Sequence, residues 1–250
     1  MRMVLLTALG IGGATIIGAA IGFCVKNVSH KVNDMILSFA AGIMLAAAVG
    51  GLVVPAFELV SGAQLLIPVV GIFVGALFLN FMDRVTPHLH KIAGADEESH
   101  TNNRNLSKAL LFVMAVAIHN LPEGMAAGVS FGNDDVSAAI TVAVGIALQN
   151  IPEGIVTVSP LVMSGVSRGR AFLLATVTGF IEVVGCLLGF YVANVSAAIL
   201  PFALAFAGGT MLYIISDEMI PETHSHGYER MSTYSLLVGF TLMLVMDVVL

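Results

Sequence analysis

The sequence predicts an all-α membrane protein of eight transmembrane helices, with both termini on the outer side. Three observations lead there. Hydrophobic residues make up 58% of the 250-residue chain and charged residues only 10%, and the mean hydropathy is +0.97. A soluble domain carries roughly 25% charged residues, so this chain lacks the polar surface that water requires. The apolar residues also fall into runs of membrane-crossing length, about 20 residues each. Finally, the basic residues gather on alternate connections between those runs.

The first run, about 3–25, has only Arg2 ahead of it and no small-residue cleavage site behind a short apolar core. It reads as a retained helix and not as a signal peptide. "KNVSHKVND" separates it from 33–57, and a third run covers 63–83. The polar stretch 84–105, "RVTPHLHKIAGADEESHTNNRN", is then a cytoplasmic loop too short for a soluble domain. Runs at 106–131 and 135–160 flank "FGNDD", and "SGVSRGR" leads into 170–194, followed by 197–219 and 232–250. Residues 1–250 thus form a single transmembrane domain. Lys26 and Lys31 fall on the first connection, and Arg84, Lys91, Arg104 and Lys108 on the third. Arg168 and Arg170 fall on the fifth and Arg230 on the seventh, while the second, fourth and sixth carry none. This asymmetry places the odd-numbered connections in the cytoplasm.

Two hexamers stand out in the apolar background, "HNLPEG" at 119–124 and "QNIPEG" at 149–154. Both fall near mid-bilayer, where an ionisable side chain costs about 2.5–3.5 kcal/mol and marks a pathway or a site. Glu123 and Glu153 must be desolvated near one another, and a divalent cation between them resolves their repulsion. His119 and Glu123 lie four residues apart, Asn120 and Glu123 three apart, so all three share a helical face. Gln149, Asn150 and Glu153 repeat the arrangement. Pro122 and Pro152 remove backbone donors and are expected to break their helices, freeing the carbonyls of Ile118 and Leu148. Glu182, alone in "TVTGFIEVVGCLLGF", adds a third carboxylate. Three glutamates, an imidazole and three amides suit Zn²⁺ and also Cd²⁺, Fe²⁺, Mn²⁺ or Co²⁺, but not Cu⁺, because no thiolate takes part. A near-repeat on two antiparallel helices also fits the inverted symmetry of transporters.

Other classes fit less well. The HExxH motif of a zinc protease does not occur, and HxxxE supplies a single imidazole. A receptor held together by polar helix contacts uses Ser, Asn and small residues and needs no three mid-depth carboxylates. There is no GxxxxGK[ST] loop for ATP; in a membrane protein the net charge of -6 says little about partners, and no basic patch suggests a nucleic acid. Cys24 and Cys186 lack CxxC spacing and read as buried free thiols.

The chain resembles the ZIP (Zrt-, Irt-like) divalent metal transporters, in particular their prokaryotic ZupT-like and GufA-like branch. The resemblance rests on "HNLPEGMAAG" at 119–128, "ALQNIPEG" at 147–154 and "GFIEVVG" at 179–185. "SFAAGIMLAA" at 38–47 and "AGGTMLYIISDEMIPETHSHG" at 207–227 extend it. It implies a 3+2+3 inverted-repeat bundle in the cell membrane, importing Zn²⁺ or a similar divalent ion into the cytoplasm by alternating access, without ATP. It also implies a binuclear site in which His119, Glu123, Gln149 and Glu153 form the main position. Asn120, Asn150 and Glu182 form the second, with Glu123 and Glu153 bridging. Many relatives carry histidine where this chain has Gln149, although Gln occurs in the GufA-like branch; an amide oxygen is the harder ligand and leaves zinc selectivity open. The resemblance is compatible with a homodimer. Asp247 is the expected entrance residue among the outer acids Glu58, Asp134, Asp135 and Asp247, where an acidic mouth concentrates cations. Asp217, Glu218, His224 and His226 resemble the family's cytoplasmic release region, and His88, His90 and His100 its histidine-containing loop.

Overall fold

The computed structural model describes residues 1–24, 29–92, 117–132, 135–163 and 166–249, and among these there is no strand. The helices in chain order are α1 (Arg2–Cys24), α2 (His30–Glu58), α3 (Leu66–Ile92), α4 (117–130) and α5 (Val136–Met163). They continue with α6 (Arg168–Val195), α7 (Leu200–Thr223) and α8 (Glu229–Val249). Among the described residues seven helices are long and apolar enough to cross a bilayer, and α4 is described over 117–130 alone.

Helix starts follow local chemistry. Ser29 caps α2, its hydroxyl oxygen accepting from the Val32 N–H at 3.3 Å, and the Asp135 carboxylate accepts from the Ala138 N–H at 3.0 Å at the head of α5. Such caps satisfy donors that the first turn leaves orphaned. α3 runs to Ile92, nine residues beyond the expected end at 83, so the polar stretch begins as helix. His88 and His90 therefore lie on α3, and His100 lies outside the described residues, as does Asp134.

The expected helix breaks at Pro122 and Pro152 do not occur, since α4 and α5 are continuous through them. The backbone widens elsewhere, into π-helical turns at Ala47–Val53 of α2 and Ile215–Met219 of α7. Each ends just before a proline, Pro55 and Pro221, with the Val54 N–H reaching the Val49 carbonyl and the Ile220 N–H the Ile215 carbonyl. An extra residue in the turn is one way a helix accommodates a proline ring and a missing donor. Pro122 and Pro152 still remove the donors that Ile118 and Leu148 would meet, so those carbonyls lose their helical partner without a break.

α1 packs on α5 and α6, α2 on α8 and α5, and α3 on α7. Glycines let the backbones touch along these seams. A Cβ on Gly124 would run into the Glu182 carbonyl, and one on Gly154 into the Thr15 carbonyl. Gly42 is pressed in the same way against Leu236, and Gly75 against Phe206. Small residues at such contacts are the usual means of helix association where lipid offers no hydrophobic drive. The buried interior includes Ile11, Met44, Leu52, Ile146, Leu204 and Met211. Leu77 is 66% exposed and Phe180 65%, an outer apolar face that lipid accepts and water would not. Cys186 is buried as expected, whereas Cys24 is exposed at the end of α1.

Candidate metal site

Four helices bring the polar side chains together. α4 supplies His119, Asn120 and Glu123, α5 supplies Gln149, Asn150 and Glu153, and α6 supplies Glu182. The fourth, α1, contributes Thr15. Glu182 is fully buried and its carboxylate is the hub. Its Oε1 accepts from Thr15 Oγ1 at 2.7 Å and from Asn120 Nδ2 at 2.5 Å, and its Oε2 accepts from Asn150 Nδ2 at 2.5 Å. Asn150 Nδ2 also donates to the Ile11 carbonyl at 3.2 Å, tying α5 to α1.

Glu123 lies close to Gln149, Glu153 and Glu182, and Glu153 lies close to His119. Among the described residues, Glu123 Oε2, Glu153 Oε1, Asn150 Oδ1 and both amide atoms of Gln149 are buried with no hydrogen bond of good geometry. Buried polar atoms are nearly always partnered, and four of these five are oxygens. A concentration of partnerless oxygens between carboxylates is suited to a hard or borderline cation, which satisfies acceptors and quenches repulsion together. Among the described residues no three His, Cys, Asp or Glu groups converge closely enough to hold an ion as they stand. The amides are thus needed to complete any ligand set.

His119 does not stand alone. Its Nε2 lies 3.0 Å from Glu218 Oε1, on the π-helical turn of α7. Glu218, placed by sequence in the release region, therefore touches the central cluster directly. The remaining predicted residues lie apart from it. Asp217 and Asp247 are exposed, Asp247 beside Gly50 at the wide turn of α2, and Glu58 and Asp135 are exposed at helix ends. His224 is held by the Ile220 carbonyl at 2.8 Å and Thr233 at 3.1 Å. His226 Nδ1 meets Asp34 Oδ1 at 3.1 Å and its ring stacks on His30.

Sequence reasoning passed over Thr15 and Asp34. Thr15 is an ordinary residue in an apolar helix until its partner is known. Asp34 read as part of a polar connection, yet it is fully buried in the second turn of α2.

Fold and site define a multi-pass helical membrane protein with a buried carboxylate, imidazole and amide centre, the class to which cation transporters belong. Comparison with known sequences makes this specific. The family description "ZIP Zinc transporter" matches residues 93–247. The chain is 42% identical over 249 residues to "Zinc transporter GufA" of Myxococcus xanthus, covering 97% of each chain. It is 34% identical to "Zinc transporter ZIPB" of Bordetella bronchiseptica, over 95% of this chain and 78% of that one. It is also 34% identical to "Zinc transporter ZupT" of Chlorobaculum parvum, over 94% and 92%. The chain belongs to the ZIP family and, like its GufA and ZupT relatives, to the prokaryotic-type branch; it is a transporter and not an enzyme.

Proposed function

We propose that the protein imports divalent transition-metal ions, Zn²⁺ foremost and also Cd²⁺, Fe²⁺, Mn²⁺ or Co²⁺, across the cell membrane into the cytoplasm. Eight membrane crossings in a 3+2+3 inverted arrangement, both ends outside, form one transport domain. The cargo binds at mid-membrane between α4, α5 and α6, with His119, Glu123, Gln149 and Glu153 as the main position. Asn120, Asn150 and Glu182 build a second position beside it, and Glu123 and Glu153 bridge the two. The observation that carries this reading is the set of buried, partnerless oxygens on Glu123, Gln149, Asn150 and Glu153 beside the Glu182 hub. Names of relatives, all zinc transporters, favour zinc among the metals.

Transport follows from alternating exposure of that centre as one helix group slides against another. The cargo enters past Asp247 and leaves toward Glu218, Asp217, His224 and His226. Glu218 already contacts His119, so release can proceed as ligand exchange from imidazole to carboxylate. The seams of small residues along α1, α5 and α6 leave few interlocking side chains to oppose sliding. Nothing in the sequence supplies ATP binding, so the gradient of the metal, the membrane potential or a coupled ion drives the cycle.

Equilibrium zinc binding to purified protein, counted by elemental analysis, tests the site. Two ions per wild-type chain are expected, and Glu123→Ala should lose both because it removes the bridge. Undiminished binding by that variant would remove Glu123 from the site.

A further inference from the structure

Thr15 stands on α1 where Glu182 stands on α6. α1 carries Gly12, Thr15, Gly18, Gly22 and Phe23, and α6 carries Gly179, Glu182, Gly185, Gly189 and Phe190, every pair offset by the same 167 residues. The packing follows the same correspondence. Gly18 abuts Ile151 and Gly154 of α5, as Gly185 abuts Leu121 and Gly124 of α4. In return Gly154 presses on the Thr15 backbone, and Gly124 on the Glu182 backbone. Leu121–Gly124 and Ile151–Gly154 are the matching parts of the two hexamers. α1 with α5 and α6 with α4 are thus two versions of one seam, facing each other where Gly12 meets Gly179.

At that junction the two versions differ in one decisive residue: one presents a carboxylate, the other a hydroxyl. Thr15 is 3% exposed and Glu182 fully buried, and the hydroxyl donates to Oε1 at 2.7 Å. A carboxylate offers only acceptors, so Asn120 and Asn150 must turn their NH₂ groups toward Glu182. Asn150 Oδ1 is then the end of that amide left buried and without a partner among the described residues. Thr15 fixes the carboxylate that fixes the amides.

We propose that Thr15 is a positioning residue for the cargo, holding Glu182 so that the amides of Asn120 and Asn150 present oxygen to the ion. This rests on the mid-membrane site described above. Thr15 itself is not a ligand. Its hydroxyl acts through Glu182, and without it the carboxylate keeps, among the described residues, its two amide donors and gains freedom to rotate. A second carboxylate at this position would have set a fourth carboxyl group beside Glu123, Glu153 and Glu182, whereas a hydroxyl adds a donor.

The test is Zn²⁺ titration calorimetry on purified, detergent-solubilised wild type, Thr15→Ser and Thr15→Val, with melting temperatures of the metal-free proteins. Thr15→Val is nearly isosteric, so the metal-free protein should still fold. It should bind Zn²⁺ about ten-fold more weakly, the order expected from losing one hydrogen bond to a charged group. Thr15→Ser keeps the donor and should bind like wild type even if its melting temperature falls. A purely structural role would make affinity track melting temperature across the series, and that result would overturn the proposal. Wild-type affinity in Thr15→Val, or tighter binding, would also overturn it, the latter because the hydroxyl would then be competing with the ion. Failure of wild type to bind Zn²⁺ or Cd²⁺ at all would instead overturn the metal site together with this inference.

Discussion

His119 Nε2 and Glu218 Oε1 lie 3.0 Å apart, joining the first residue of the central cluster on α4 to the π-helical turn of α7. The nitrogen that would ligate cargo is therefore within one ligand exchange of a half-exposed carboxylate. A metal held by His119 would on leaving meet an oxygen already in place.

Glu218→Ala should therefore impair release more than binding. Uptake kinetics in proteoliposomes should show Vmax falling about ten-fold, equivalent to ~1.4 kcal/mol on the barrier, with KM changed far less. A rise in KM with Vmax intact would place Glu218 at the loading step instead.

Gln149→His should shift preference toward zinc over manganese. Imidazole is the softer donor and suits Zn²⁺ better than an amide oxygen does. Competition between the two metals during uptake measures the ratio directly, and an unchanged ratio would move selectivity away from this position.

The seams predict which glycines tolerate alanine. A Cβ at Gly124 or Gly154 would meet backbone of α6 or α1, which cannot rotate away. Each alanine there should cost about 1–3 kcal/mol, as overpacking usually does. Gly10 and Gly13, on the same α1, have nothing among the described residues within 4 Å of a Cβ. Alanine at those positions should leave the melting temperature unchanged or slightly raised. Thermal unfolding in detergent distinguishes the two sets.

Asp34 and His226 make a second, independent prediction on stability. Asp34 is fully buried and His226 is the one titratable side chain paired with it among the described residues. His226→Ala leaves that carboxylate without a counterpart and should cost about 1–3 kcal/mol. Asp34→Asn in the His226→Ala background should recover most of the loss, because the stranded charge is gone. No recovery would mean that His226 acts through its stacking on His30.

Much of this was legible in the chain because a membrane imposes simple arithmetic. Long apolar runs pointed to the helices, and two polar hexamers with Glu182 in apolar surroundings pointed to the polar side chains that α4, α5 and α6 bring together. What escaped depends on partners distant in sequence. Thr15 matters only because α1 lies against α6, and Asp34 only because the α7–α8 connection brings His226 back to α2. The prolines misled for a different reason. Pro122 and Pro152 carry the motif and invite a helix break there, yet α4 and α5 absorb them, and the backbone widens ahead of Pro55 and Pro221. A proline signals a missing donor, and the surrounding packing decides whether the helix bends, widens or simply continues. α3 ran past its expected end because apolar length bounds the bilayer crossing and not the helix, which can continue into water.

The central claim is that the buried glutamates carry metal through the membrane, and radiometal uptake into proteoliposomes tests it most directly. Zinc, cadmium, iron and manganese would be compared with and without a pH gradient, for wild type and Glu153→Ala. Saturable uptake by wild type, strongest for zinc and abolished in the variant although it inserts normally, is the predicted result. Uptake by Glu153→Ala at the wild-type rate, or none of any metal by well-folded wild type, would contradict it.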